Sequence, residues 1–170
     1  LLGLIIGFLN FYLLKKDDSS FINNEESVPL KFTDERVFPS LVIASFLGVS
    51  NACIVLTSSL FVNDVILKSP EDLYFFVSIG FAIVALSGLL TQLFIVDKYS
   101  LNPKNLVFIG LFLMSIVFFL LSSVNELLSF YILLAIFGFG GGLARPGNVS
   151  ILSLSINKHE QGSASGLMGT

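Results

Sequence analysis

Apolar residues run along this chain in long blocks and do not alternate with polar ones. Five blocks follow one another between polar breaks, at residues 1–14, about 39–63, 72–96, 105–124 and 127–156, and a sixth begins near Gln161. A transmembrane β-barrel needs segments of about ten residues that alternate. The run LVFIGLFLMSIVFFLLSS is apolar on every face instead. Only structures that satisfy their own backbone hydrogen bonds survive in lipid, so the blocks predict membrane-spanning helices. The expected fold class is all-α, a polytopic transmembrane helical bundle.

Block 1–14 is shorter than the roughly 20 residues a span needs. The chain opens on Leu1 inside that run and closes on the apolar start GSASGLMGT, so both ends read as cut and a fragment is expected. Residues 1–14 and 161–170 are then truncated helices on either side of a bundle within 39–170. The opening run has neither the basic region nor the small-residue cleavage site of a signal peptide.

Composition supports the same solvent. With 54% hydrophobic residues, 12% charged residues and a mean hydropathy of +0.89, the chain has too little polar surface to cover a water-soluble globule. A net charge of −3 offers no basic face to nucleic acid. One Cys and one His make neither a disulfide framework nor a metal site, and no cofactor is expected.

Basic residues set the orientation. Loops 15–38, 97–104 and 157–160 together carry Lys15, Lys16, Lys31, Arg36, Lys98, Lys104 and Lys158, against Lys68 alone on the other side, so the first group is expected to be cytoplasmic. Loop 15–38 is long, mixed in charge and rich in Asn and Ser, and reads as a tether between two helix bundles.

Polar residues inside a span are costly, so they point to faces that meet water, solute or protein. After Asn105 at its start, span 105–124 holds only Ser115 before Ser122 and Ser123, and is expected outermost, against lipid. In span 39–63, Ser40, Asn51 and Ser58 lie at spacings that bring them within about 20° of one face. That face either lines a cavity or joins a neighbouring helix by hydrogen bonds. Asn63 and Asp64 read as a polar helix end in the interface.

The stretch GFGGGLARPGNVS, residues 138–150, carries Arg145, the one charged side chain between Leu127 and Ile156. Gly138 and Gly142 form a GxxxG pair, as do Gly162 with Gly166 and Gly3 with Gly7; small residues at this spacing let helices approach closely. The glycines follow no strand and no Lys-Ser/Thr pair follows them, which excludes a phosphate-binding loop. Pro146 removes a backbone donor and should kink or loosen the helix, and a loosened helix is tolerated only against protein or an aqueous cavity. Arg145 stays protonated, and facing lipid would cost a few kcal/mol. A cavity-facing helix is expected, its cation attracting an anionic group or pairing with a carboxylate; Asn148 is expected on the same lining. Snorkelling of Arg145 to the interface is the alternative.

Here the residues resemble a family. A long loop, alternating spans and a Gly-rich helix lead through Pro146, Ile151 and Ser153 to Glu160, Gln161, Gly162, Ala164, Gly166 and Leu167, a pattern similar to the major facilitator superfamily. The last stretch is most similar to bacterial drug:proton antiporters. The resemblance implies that 1–14 end helix six, 15–38 form the central loop, and the later blocks are helices seven to ten with the start of eleven. It also implies that seven, eight, ten and eleven line the cavity while nine faces lipid. A multi-pass protein of the plasma membrane, of bacterial inner-membrane type, is implied. Its partners would be lipid, a missing N-terminal half, a small solute and protons. The family's cytoplasmic charge motif has an echo in Gly88, Asp97, Lys98 and Lys104, but Gly88 is nine residues from Asp97 and no glycine follows the basic residue. An ordinary solvated turn fits that loop better.

The function implied is secondary transport by alternating access, as proton-coupled efflux of drugs or metabolites; an uptake permease and a non-transporting receptor or scaffold are the alternatives. The intact spans hold no acid between their ends, which places the coupling acid in the missing half. An intramembrane protease is excluded: in SASG, position 163 is Ser where G-x-S-G has Gly, and His159 is a loop residue, not a base held beside a nucleophile.

Overall fold

A computed structural model describes residues 30, 32–67, 73–96, 98 and 101–169. Block 1–14, most of loop 15–38, Lys68 and Asp97 lie outside the described residues. Among the described residues four helices are long and apolar enough to cross a membrane. Helix α1 spans Phe38–Phe61 and widens into π-helix over Val62–Leu67; α2 spans Leu73–Thr91 with a π-helical end at Gln92–Val96. Helices α3 (Pro103–Leu121) and α4 (Leu127–Ser155) follow, then a 3-10 turn (Lys158–Glu160) and α5 (Gln161–Gly169). Among the described residues there is no strand.

Local chemistry starts these helices. Pro39 stands in the first turn of α1 and Pro103 in that of α3, where the missing N–H costs nothing. Asn102 caps α3 by accepting the Lys104 backbone N–H at 3.0 Å. Asn157 and Glu160 form a reciprocal capping box at the turn into α5.

Helix α4 is the centre of the bundle. In its most apolar stretch 56% of residues are buried, against 28% in α3, 17% in α1 and 6% in α2. Helices α2 and α3 pack along it, and α1 meets it over a shorter length. Phe130, Leu133, Leu134 and Phe137 of α4 join Leu47 and Ile54 of α1 and Met114 and Val117 of α3 in the core. The ranking differs from that expected from polarity, since α3 buries more than α1 or α2. Its buried stripe of Leu106, Val107, Gly110, Met114 and Val117 packs on α4 while Phe108, Phe112 and Phe119 stay exposed.

Glycines explain why α4 takes neighbours on two sides. A Cβ at Gly142 would meet the Gly88 carbonyl oxygen at 2.7 Å and the Thr91 Cβ at 2.9 Å, and one at Gly138 would strike the Val84 carbonyl, so this pair seats α2. Gly140 and Gly147 do the same for α3: a Cβ at Gly140 would lie 2.8 Å from the Gly110 carbonyl oxygen, and one at Gly147 3.0 Å from that of Pro103. The second face was missed in the sequence because its small residues, Gly140, Ala144 and Gly147, do not form a GxxxG pair. Gly162 and Gly166 pack against nothing within 4 Å among the described residues.

Pro146 does not break α4, which runs continuously from Leu127 to Ser155. Only one donor is lost, and the carbonyl it would have bonded, that of Gly142, belongs to a residue pressed against α2. Protein covers the weak point, and the helix survives it.

The described residues just before α1 pack against the far end of the chain. Val37 is fully buried against Leu152 and Ala164, with Leu30 packed beside them. Arg36 donates to both carboxylate oxygens of Glu160 at 3.1 Å and to Asp34 Oδ2 at 2.8 Å. The hydrogen bond from Arg36, then that from the Asn157 backbone, holds the Glu160 carboxyl below its ordinary value. Asp34 is lowered by Arg36 likewise. A depressed folded pKa means stability that is present above the ordinary 4.5 of Glu160 and lost as the pH falls through the depressed value. In the full-length protein at pH 7, Glu160→Gln is therefore expected to lower the melting temperature, Arg36→Gln to lower it further because Asp34 loses its partner too, and the double substitution to cost no more than Arg36→Gln alone. The gap between wild type and Glu160→Gln should close as the pH drops below that range. Additive losses would contradict the clasp.

Candidate functional site

The crossing of α2 and α4 also places the polar side chains. Gly138, Gly141, Gly142 and Arg145 fall on one stripe of α4; Phe81, Val84, Gly88 and Gln92 fall on one stripe of α2. With Gly88 and Gly142 in contact, the register sets Gln92 and Arg145 along the same cleft. Helix α1 closes the third side with Asn51. The cleft has a volume of about 340 Å³, and a second of about 360 Å³, walled by Ala44, Leu47, Gly48 and Met168, shares Asn51 and Arg145 with it.

Arg145 and Asn51 divide the two clefts. The guanidinium donates from Nη2 to Asn51 Oδ1 at 3.3 Å, and Arg145 is exposed. Its partner is thus a neutral amide, where the sequence left open a carboxylate. Among the described residues neither cleft is lined by an Asp or a Glu. The position lies ten residues before the end of α4 at Ser155, about 15 Å along the axis, or roughly half the hydrocarbon thickness. The arrangement can offer N–H donors and one positive charge to a solute at membrane depth.

One of the expected lining residues is elsewhere, and another has a second role. Ser58 is 4% exposed and its hydroxyl donates to the Ile54 carbonyl of its own helix, so it is unavailable to the clefts. Serine often bonds its own preceding turn in this way, and sequence spacing alone does not reveal it. Asn148 is 1% exposed; its Nδ2 donates to the Ser40 carbonyl at 2.9 Å and holds α4 to α1. Its Oδ1 and the Ser40 hydroxyl are buried and have no hydrogen-bond partner among the described residues. Asn148 therefore joins α4 to α1 and also lines the second cleft beside Asn51 and Arg145.

Gln92 was missed. It sits in the apolar run TQLFIV, where the same rule that drew attention to Asn51 applies. Of the charge motif in the α2–α3 loop, Lys98 lies in a turn and Lys104 is exposed in the first turn of α3. Asp97 lies outside the described residues. Among the described residues no group of His, Cys, Asp and Glu is arranged to hold a metal ion.

A family model described as Major Facilitator Superfamily matches residues 1–170. No curated protein and no solved structure matches the chain.

Proposed function

Because the chain belongs to the major facilitator superfamily, a family of membrane transporters, we propose that its helices form one bundle of a secondary active transporter that exports a small metabolite or drug in exchange for protons. The solute passes the face where α1, α2 and α4 meet, between Asn51, Gln92 and Arg145. The observation that carries this reading is the pairing of Arg145 with a neutral amide in an open cleft at membrane depth. A cation there is costly against lipid and inexpensive against water, so the face is wet. Transporters of this kind rock two bundles about a midplane site between repeats. Solute drives the cycle only by binding the inward-open and outward-open states differently.

Export and proton coupling rest on the likeness of residues 160–167 to the antiporter pattern. Orientation follows the basic residues, which puts the Arg36–Glu160 clasp on the cytoplasmic side. The coupling acid lies outside the described spans, where Asp64, the acid at the end of α1, only accepts a hydrogen bond from Asn63 Nδ2 at 2.9 Å. Full-length protein in liposomes with an imposed pH gradient is expected to dissipate that gradient when solute is added, and Asp64→Asn should leave the coupling intact. Binding without flux would support a receptor. Loss of proton coupling through Asp64→Asn alone would overturn the placement of the acid.

A further inference from the structure

We infer that the three-helix cleft is an oxyanion subsite, taking a carboxylate, sulfonate or phosphate group of the solute, with Arg145 as its charge and Asn51 and Gln92 as its neutral walls. The inference deepens the transport reading and rests on it.

Three observations carry it. Arg145 spends one N–H on Asn51 Oδ1 at the long distance of 3.3 Å, while a guanidinium has five donors in a planar fork matched to two oxygens of one acid group. Among the described residues no carboxylate lines either cleft, so none of them neutralises the charge from within. The described acids are engaged or remote: Asp34 and Glu160 hold Arg36, Asp64 follows α1, and Glu35 and Glu126 precede α1 and α4. Third, there is room beside the charge, because Gly141, one turn before Arg145 on the same stripe, has nothing within 4 Å of where a Cβ would stand. A cleft with low-dielectric walls and one uncompensated cation concentrates anions and repels cations.

The test uses the full-length protein in liposomes, carrying Cys53→Ser and a single new thiol in the cleft, Gly141→Cys. Leu89→Cys on the α2 wall, where Leu89 is 52% exposed, serves as the second site if the first does not fold. Each is reacted with anionic ethylsulfonate and cationic ethyltrimethylammonium methanethiosulfonates, and the rate ratio is divided by that of a free thiol. The anionic reagent is expected to be favoured on the order of tenfold, with the preference lost in Arg145→Gln and kept in Arg145→Lys. Protection by benzoate identifies a carboxylate, and protection by phenyl phosphate a phosphate monoester. Faster cationic labelling, a preference indifferent to Arg145→Gln, or no protection by either acid overturns the oxyanion subsite while the water path stands. Failure of both reagents at both thiols removes the path itself.

Discussion

Leucine in place of Gly138 is expected to unseat α2 from α4 and cost about 3 kcal/mol or more, at the upper end of what overpacking costs. A Cβ there already strikes the Val84 backbone, and backbone cannot swing aside as a flexible side chain does. In lipid the two helices gain no hydrophobic drive from meeting, so close backbone contact is much of what joins them. Gly48→Leu on α1 is the control, since among the described residues no neighbouring element comes within 4 Å of its would-be Cβ, and its effect should stay within about 0.5 kcal/mol. The check is reversible unfolding of the full-length protein in mixed micelles. Equal losses for the two leucines would show that the α2–α4 crossing does not depend on its glycines.

The second large effect concerns transport and spares the fold. Arg145→Gln is expected to lower solute flux by about 10- to 100-fold, because hydrogen bonds to a charged group contribute about 1.5–3 kcal/mol and each 1.4 kcal/mol is a factor of ten. Folding should survive: Arg145 is exposed, and its bond to Asn51 is long. Arg145→Lys keeps the charge but loses the planar fork, so an intermediate flux is expected. Initial rates in liposomes, compared at equal amounts of folded protein, check the order wild type, lysine, glutamine. A glutamine variant as active as wild type would leave Arg145 as an interfacial anchor.

Span positions were legible because lipid leaves so few options. Uninterrupted apolar blocks and proline-marked starts are local signals, and α1 to α4 occupy the blocks from 39 to 156 with ends displaced by a few residues. Arg145 and Asn51 were legible too, as costly polar residues in such blocks. Their meeting was not, since it depends on the crossing of three helices, and that depends on which glycines touch. The GxxxG spacing marked Gly138 and Gly142, whereas the α3-facing set became visible only with Gly110 opposite Gly140. Polar residues also divide by partner. Ser58 turned to its own helix, though periodicity gave it the same standing as Asn51, while Asn148 both bonds the Ser40 carbonyl and lines the second cleft. The contacts just before α1 were hidden for a related reason: the composition there is that of a linker, and Val37 and Arg36 meet Leu152 and Glu160 more than a hundred positions away.

The claim beneath the whole account is that position 145 faces water enclosed by protein. A nitroxide attached through Arg145→Cys, in the Cys53→Ser full-length protein in a bilayer, measures this through collisions with a water-soluble nickel chelate and with oxygen dissolved in lipid. The account predicts relaxation dominated by the chelate. Relaxation dominated by oxygen, with none from the chelate, would contradict it.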